Sequence, residues 1–240
     1  MQGDQHRQHI SGQFNAELET MKNHLLEMGG LVEQQLARAM EALLNRDSGL
    51  GEAVIAADRD INGMELQIDD ECSRILARRQ PAASDLRLVL AVAKSTTDLE
   101  RIGDEATKIA RQAIRLSELP PAAGSATELR LIGRHVASML RDALDAFARL
   151  DVKRAIDVVV DDGAVDTEYD AAMRSLVTLM MADARNISGV LHVMWALRGL
   201  ERVGDHATNI AEQVVYLVRG KDVRHMSREN LRASLGEGSA

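Results

Sequence analysis

The sequence has few prolines, aromatic residues and cysteines, and each shortage narrows what the chain can be. Three prolines in 240 residues leave room for long uninterrupted helices, because proline breaks a helix interior. Aromatic residues make up 2% of the chain, so the core must consist of Leu, Val, Ile, Ala and Met, which suits helices packed on helices. The lone Cys72 excludes an internal disulfide and fits a reducing compartment.

Charge and hydropathy argue against several classes of function. The formal net charge of −8 argues against general nucleic-acid binding, which needs a basic face, and against direct docking on anionic lipid. The polar N-terminus lacks the apolar segment of a signal peptide. No uncharged apolar run approaches the roughly 18–20 residues that a membrane span requires. We therefore expect a soluble cytoplasmic protein.

The short motifs of common enzymes are also missing. The sequence contains no Walker A loop, GxGxxG, GxSxG or HExxH, and it lacks the Glu-x-x-His element of ferritin-like di-iron proteins. Cys72 lies on an apolar helical stripe and is expected to be an inert core residue. His206 is expected to be a surface residue rather than a ligand.

The most informative feature that is present is an internal repeat. Residues 89–110 and 190–211 are identical at 12 of 22 positions, at an offset of 101 residues. Each copy keeps two acids four residues apart, Glu100/Asp104 and Glu201/Asp205. Two like charges at this spacing share one side of a helix and cost about 0.2–0.5 kcal/mol. Their repetition suggests that a cation neutralises them.

Apolar residues recur at spacings of three and four almost throughout, which predicts six long helices. We expect an all-α fold of two tandem three-helix bundles related by internal pseudo-symmetry. The first repeat is predicted at 11–118, the second at 126–219, the linker at 119–125 and a frayed C-terminal tail at 221–240. The first predicted helix spans about 11–45, the second runs from after the break at 47–49 to about 79, and the others span about 84–117, 126–149, 152–184 and 187–218. Pro81 is expected in the first turn of the third.

A second acidic element precedes each copy of the repeat. Asp58 and Asn62 lie on the second predicted helix, and Asp162 and Asp166 on the fifth. If neighbouring helices are antiparallel, these side chains converge with the repeated acids on a flank beside the core. Oxygen-only sites favour hard cations such as Mg²⁺, Mn²⁺ or Fe³⁺, with Zn²⁺ also feasible. The alternative is a solvated face.

Smaller features fit both interpretations of the flank. On the solvated face, Asp104 would pair with Lys108 at i,i+4. Gly103 and Gly204 lie between the core stripe and the acids. A glycine inside a helix costs about 1 kcal/mol relative to alanine, so its use in both copies indicates close approach of a helix or an ion, or a crowded helix crossing.

These motifs resemble the PhoU family of phosphate-uptake regulators. The resemblance rests on the repeated Leu-Glu-Arg-[Ile/Val]-Gly-Asp-x-Ala-Thr-x-Ile-Ala and on the upstream acidic elements, and it covers about residues 10–225. It implies a cytoplasmic, commonly homodimeric protein that binds metal through [Glu/Asp]-xxx-Asp motifs. By position, the implied ligands of Fe, Mn, Mg or Zn are Asp58, Glu100, Asp104, Asp162, Asp166, Glu201 and Asp205. Asn62 replaces the usual Asp and would be a weaker ligand.

The resemblance also implies a function without catalytic turnover. Family members link the ATPase subunit of the phosphate ABC transporter to a sensor histidine kinase, and they favour the repressing state when phosphate is plentiful. They reach the membrane only through these partners. A metal-dependent phosphohydrolase, a metal store and a helical scaffold remain as alternatives at this stage.

Overall fold

The residues that the structure, a computed structural model, describes form six long helices. The structure describes the backbone of residues 2–120, 126–224, 226 and 231, and within these the side chains of all but residues 2–11 and 126. The linker residues 121–125 and most of the tail therefore lie outside the described residues. The helices are α1 (Gln2–Asn45), α2 (Ser48–Arg79), α3 (Ala83–Ser117), α4 (Ala126–Arg149), α5 (Val152–Ala182) and α6 (Ile187–Arg219), with a short 3₁₀ turn at Ala184–Asn186 between the last two.

The helices form two tandem three-helix bundles, as predicted. Helices α1, α2 and α3 pack on one another, and α4, α5 and α6 do the same. The bundles meet where α3 packs along α6 and where α1 crosses α4, while α2 and α5 do not touch within the described ranges. Among the described helices, none is long and apolar enough to span a bilayer.

The helices that carry the repeat, α3 and α6, form the seam between the bundles. Gly199 lets α6 approach closely, because a Cβ built there would lie 3.1 Å from the Ile109 side chain. Farther along, His206 Nδ1 lies 2.9 Å from Asp98 Oδ1, which also accepts a hydrogen bond from Asn209. The expectation of a surface position for His206 was wrong, since this half-buried side chain joins the two bundles.

The turn between the first two helices of each bundle has the same construction in both bundles. Arg46 and Leu150 each adopt a left-handed conformation with φ of 56°. The next residue caps the following helix: Asp47 accepts from the Leu50 amide at 2.9 Å and Asp151 from the Arg154 amide at 3.0 Å. Aspartate at the N-cap satisfies an amide that has no partner within the helix. The two bundles therefore share this turn as well as their order of helices.

Three helix ends differ from the prediction. Helix α1 begins at Gln2 instead of residue 11, because the polar segment before Phe14 has no apolar stripe to signal a helix. Pro81 lies outside α3, which begins at Ala83. Helix α5 ends at Ala182 because the Asp183 side chain accepts from the Arg185 amide and caps a separate 3₁₀ turn.

The side chains that line the core are almost entirely aliphatic, as the composition required. Leu, Ile, Val, Ala and Met from all six helices are buried, and Phe147 is the aromatic residue fully enclosed among the described residues. Cys72 is buried beside Met21, with its Sγ 3.4 Å from the Met21 Sδ. Burial raises the pKa of the Cys72 thiol to about 12, which keeps it protonated and inert.

The chain turns back on the seam after α6. Gly220 adopts a left-handed conformation with φ of 67°, as expected of a residue that ends a helix. Val223 beyond it is only 3% exposed, and Leu231 is also buried. Burial, reinforced by the charge of Asp222, raises the pKa of Glu212 to about 7. The described part of the predicted tail thus packs on the protein.

The raised pKa of Glu212 predicts how stability depends on pH. Between pH 4.5, its ordinary pKa, and about 7, the folded chain keeps a proton that the unfolded chain has released, so this residue lowers stability as pH rises through that window. Glu212→Gln should therefore gain stability over the natural protein between pH 5 and 8, as measured by urea unfolding. Glu41→Gln, on an exposed part of α1, is the control, and an equal gain in both variants would contradict the prediction.

Candidate acidic faces of the two bundles

The first bundle brings its predicted acids together on α2 and α3. Burial raises the pKa of Glu100, and the negative charges of Asp104, Glu65 and Asp58 raise it further, against the opposing effect of Arg101. These carboxylates therefore lie within electrostatic range of one another. The three acids that the sequence singled out in this half do share one face.

Asp58 is held by neutral hydrogen-bond donors from all three helices of its bundle. Gln35 of α1 donates to Asp58 Oδ1 at 3.1 Å, Thr107 of α3 donates to the same oxygen at 3.2 Å, and Asn62 of α2 donates to Oδ2 at 3.3 Å. Gln35 is 4% exposed. Both oxygens of this carboxylate thus have hydrogen-bond donors within the protein.

Two further members of the acidic face of the first bundle were not predicted from the sequence. Glu65 lies one turn beyond Asn62 on α2, and burial together with the charges of Asp69 and Asp104 raises its pKa. Its place on the polar flank, seven residues after Asp58, was the signal that could have identified it. Gln35 had no such signal, because it lies in the apolar stripe of a different helix.

The second bundle gathers four acids on α5 and α6. Burial raises the pKa of Glu201, and the charges of Asp205 and Asp166 add to it. The pKa of Asp205 is also raised, although the residue as a whole is exposed. The larger cause is desolvation of its carboxylate by the surrounding protein, and the negative charges of Asp162 and Asp166 add to it. Asp166 is therefore within electrostatic range of Glu201 and Asp205, and Asp162 is within range of Asp205.

Glu201 combines one strong partner with one orphaned oxygen. Its Oε1 accepts from Arg198 Nη1 at 2.7 Å. Its Oε2 is buried and has no hydrogen-bond partner. A buried carboxylate oxygen without a donor is unfavourable, so this position would gain from a cation or a donor that is not part of the described chain.

The two faces differ in the residues beside their glycines. A Cβ built on Gly103 would lie 3.1 Å from Gln35 Oε1, whereas one built on Gly204 would lie 3.6 Å from Val136 Cγ1. Val136 thus occupies in the second bundle the place of Gln35 in the first. Thr208, the counterpart of Thr107 at the 101-residue offset, has a buried hydroxyl without a partner.

The donor set fits a cation better in the second bundle than in the first. At corresponding places the first bundle has neutral Gln35 and Asn62, and the second has Val136 and the acid Asp166. Among the residues that the structure describes, however, no group of three or more His, Cys, Asp or Glu side chains is arranged so that it could hold a metal ion. Neither face is therefore a preformed metal site.

The ion pairs that Asp104 and Lys108 form on α3 differ from the Asp104–Lys108 pair considered from sequence. Asp104 lies 3.6 Å from Arg101 Nη1, not beside Lys108. Lys108 instead donates to Glu105 Oε1 at 2.9 Å, and Arg202 of α6 lies 3.2 Å from the same oxygen. Glu105 is a buried carboxylate at the seam between the bundles, which explains why both cations turn towards it.

Comparison with known proteins identifies the family. The family model described as the PhoU domain matches residues 25–113 and 129–214, one match in each bundle. The chain belongs to the PhoU family. The two matches fall on the two halves that the internal repeat relates.

Relatives and solved structures of the PhoU family match nearly the whole chain. The chain is 59% identical over 227 residues to the phosphate-specific transport system accessory protein PhoU homolog of Pseudomonas putida, covering 95% of this chain and 89% of that protein. It is 47% identical to the phosphate-specific transport system accessory protein PhoU of Escherichia coli K12, covering 93% and 92%.

Two crystal structures extend the likeness to the fold. That of PhoU from Pseudomonas aeruginosa has a TM-score of 0.85 at 58% identity, covering 87% of this chain and 100% of the other. That of the phosphate transport system regulatory protein PhoU from Streptococcus pneumoniae has a TM-score of 0.81 at 33% identity, covering 88% and 99%. The two-bundle architecture is therefore that of the PhoU family.

The two glycines of the repeated PhoU motif should respond differently to alanine. At Gly204 the new methyl group meets its neighbours at ordinary van der Waals distance, whereas at Gly103 it presses on Gln35 and Ile61 at 3.1 and 3.3 Å. Gly204→Ala should be at least as stable as the natural protein, since alanine favours a helix by about 1 kcal/mol. Gly103→Ala should be less stable than Gly204→Ala by about 1–3 kcal/mol.

Urea unfolding followed by circular dichroism measures both glycine variants on the same scale. Gly12→Ala is the control for helix propensity alone, because a Cβ built at that position of α1 meets nothing within 4 Å. A larger loss of stability in Gly204→Ala than in Gly103→Ala would show that these distances do not govern the response.

Proposed function

We propose that this chain is a non-catalytic regulator of phosphate uptake that acts in the cytoplasm as an adaptor. One partner is the ATPase subunit of a phosphate ABC transporter, and the other is a sensor histidine kinase. The adaptor favours the repressing state of the kinase when phosphate is plentiful. A homodimer is the proposed working form.

The observation that carries this proposal is the likeness to named accessory proteins over nearly the whole chain. The Escherichia coli K12 relative, 47% identical over 225 residues, is named as an accessory protein of the phosphate-specific transport system. The solved structure from Streptococcus pneumoniae is that of a phosphate transport system regulatory protein. An adaptor needs only surfaces whose occupation by one partner changes the affinity for the other, and long helical faces supply such surfaces.

We further propose that the acidic face of the second bundle binds a hard cation. Asp162, Asp166, Glu201 and Asp205 would hold it, after side-chain adjustment. The buried, unpartnered Glu201 Oε2 and the mutual rise in the pKa values of Glu201 and Asp205 support this proposal. A cation would neutralise the repulsion and supply the missing partner.

The first bundle should bind a cation more weakly than the second. There Gln35, Asn62 and Thr107 already satisfy Asp58. Asp162→Asn/Glu201→Gln should therefore lose about tenfold or more in affinity for Mn²⁺, and Asp58→Asn/Glu100→Gln should lose less. Titration calorimetry measures both, with circular dichroism to confirm that each variant is folded.

A larger loss in the first-bundle variant would contradict this order of affinities. The same protein loaded with Mn²⁺ can be assayed for hydrolysis of a phosphomonoester. Turnover that disappears in Asp162→Asn/Glu201→Gln would favour the metal-dependent phosphohydrolase over the adaptor.

The regulatory proposal predicts the phenotype of a deletion strain. Without this protein, a promoter of the phosphate-starvation response should stay active in phosphate-rich medium, because the kinase no longer receives the repressing signal. A reporter gene measures this activity, and the natural gene supplied on a plasmid should restore repression. Normal repression at high phosphate in the deletion strain would rule the adaptor out.

A further inference from the structure

A groove lies on the seam between the end of α3 and the beginning of α6. Its volume is about 480 Å³. Within the described part of the chain, Trp195 keeps 66% of its surface exposed, and it is the single tryptophan of the sequence. The residues that line the groove are Arg111, Gln112, Ile114, Arg115, His192 and Trp195. This groove plays no part in the acidic faces.

The internal repeat relates this groove to a second place on the same seam. At the 101-residue offset, Trp195 corresponds to Lys94, and Arg115 corresponds to Tyr216. Lys94 and Tyr216 are in contact, with the ammonium group 5.7 Å from the ring centre. At both places, α3 thus contributes a cationic side chain and α6 an aromatic one.

A segment of the chain itself packs beside the second place. Residues 220–224, the covering segment, follow α6, and Val223 among them is only 3% exposed. The charges of Asp222 and Arg224 act on Glu212, and that of Lys94 acts on Asp222. A short segment with one apolar anchor and flanking charges is therefore a neighbour that this architecture already accommodates.

One charge changes sign between the two places. Glu212, which faces Arg224 of the covering segment, corresponds to Arg111 in the groove. Arg111 and Arg115 lie one helical turn apart and are both exposed, on a chain whose net charge is −8. A segment that packs in the groove as the covering segment packs beside its counterpart must therefore carry an acid where the covering segment carries Arg224.

The apolar residue of the groove is more exposed than its counterpart at the second place. Val215 at the second place is 1% exposed, whereas Ile114 in the groove is only half-buried. Two further lining residues, His192 and Gln112, join α6 to α3, since His192 Nδ1 lies 2.8 Å from Gln112 Oε1. This contact holds together the two helices that line the groove.

We propose that this groove binds a short segment of a partner protein, with an apolar side chain flanked by acidic residues. The apolar side chain packs on Trp195 and Ile114, and the carboxylates pair with Arg111 and Arg115, whose guanidinium groups suit them. Tryptophan and arginine are the residue types most enriched at the energetic centres of interfaces. This surface is separate from the phosphate-linked role proposed above and does not depend on it.

A peptide derived from the chain's own covering segment tests the proposal. The acidic probe is residues 219–226 with Lys221→Glu and Arg224→Glu, and the control peptide has the natural sequence. Trp195 reports binding directly, because it is the single tryptophan. The acidic probe should change its fluorescence at sub-millimolar concentration, and the natural peptide should bind at least about tenfold more weakly.

Charge reversal locates the binding site. Arg111→Glu/Arg115→Glu should weaken binding of the acidic probe by about tenfold or more, measured by calorimetry as well as fluorescence. Arg130→Glu/Arg134→Glu is the matched control, since it reverses two exposed arginines at the same spacing on α4 and should leave the affinity within about twofold. Unfolding by heat confirms that both variants are folded.

Several results would overturn the proposal. The proposal fails if the acidic probe does not bind up to about millimolar concentration, or if the two peptides bind equally well. Equal loss of affinity for the probe in the Arg111/Arg115 and Arg130/Arg134 double variants would also overturn it. A probe that binds only after residues 232–240 are deleted would identify the chain's own end as the occupant. A Trp195 signal that follows protein concentration, together with a dimer lost in Arg111→Glu/Arg115→Glu, would identify a second copy.

Discussion

The packing of α3 against α6 is the constraint on which the rest of the structure depends. Each of these helices packs one face into the core of its own bundle and a second face against the other helix. Close approach needs a small residue, and Gly199 supplies it opposite Ile109. The buried Glu105 carboxylate then requires cations, which Lys108 and Arg202 provide at 2.9 and 3.2 Å. Removing one partner of such a buried charge is strongly destabilising, so the seam tolerates little change.

The seam is symmetric in its backbone and asymmetric in its chemistry. At the 101-residue offset, Glu105 corresponds to His206 and Asp98 corresponds to Gly199. One side of the seam therefore carries a carboxylate–histidine contact and the other a glycine next to a buried carboxylate. The two copies of the repeat therefore pack on each other through different side chains.

The same asymmetry separates the two acidic faces. A buried glutamine in the first bundle satisfies Asp58, and Val136 in the second cannot play this part. The repeated Glu-xxx-Asp motif is therefore placed in two different settings, because the residue that the third helix brings beside it is a hydrogen-bond donor in the first bundle and an apolar side chain in the second.

The sequence by itself determined the helices, the two-bundle architecture and the side of each helix on which the acids lie. These features follow from local rules: apolar spacing marks the buried stripe, Asp47 and Asp151 cap the helices that follow them, and Gly220 ends α6. The polar beginning of α1 escaped prediction because it has no apolar stripe to reveal its period.

Only the tertiary structure decided which side chains meet across helices. Gln35 reaches Asp58 and Thr107, which lie 23 and 72 residues away in sequence, and His206 reaches Asp98 at a separation of 108. Such contacts have no local signal, because they depend on the rotation and depth at which two helices pack. The periodicity of one helix shows which face is buried, but the partner buried against it is chosen by the packing of the whole chain.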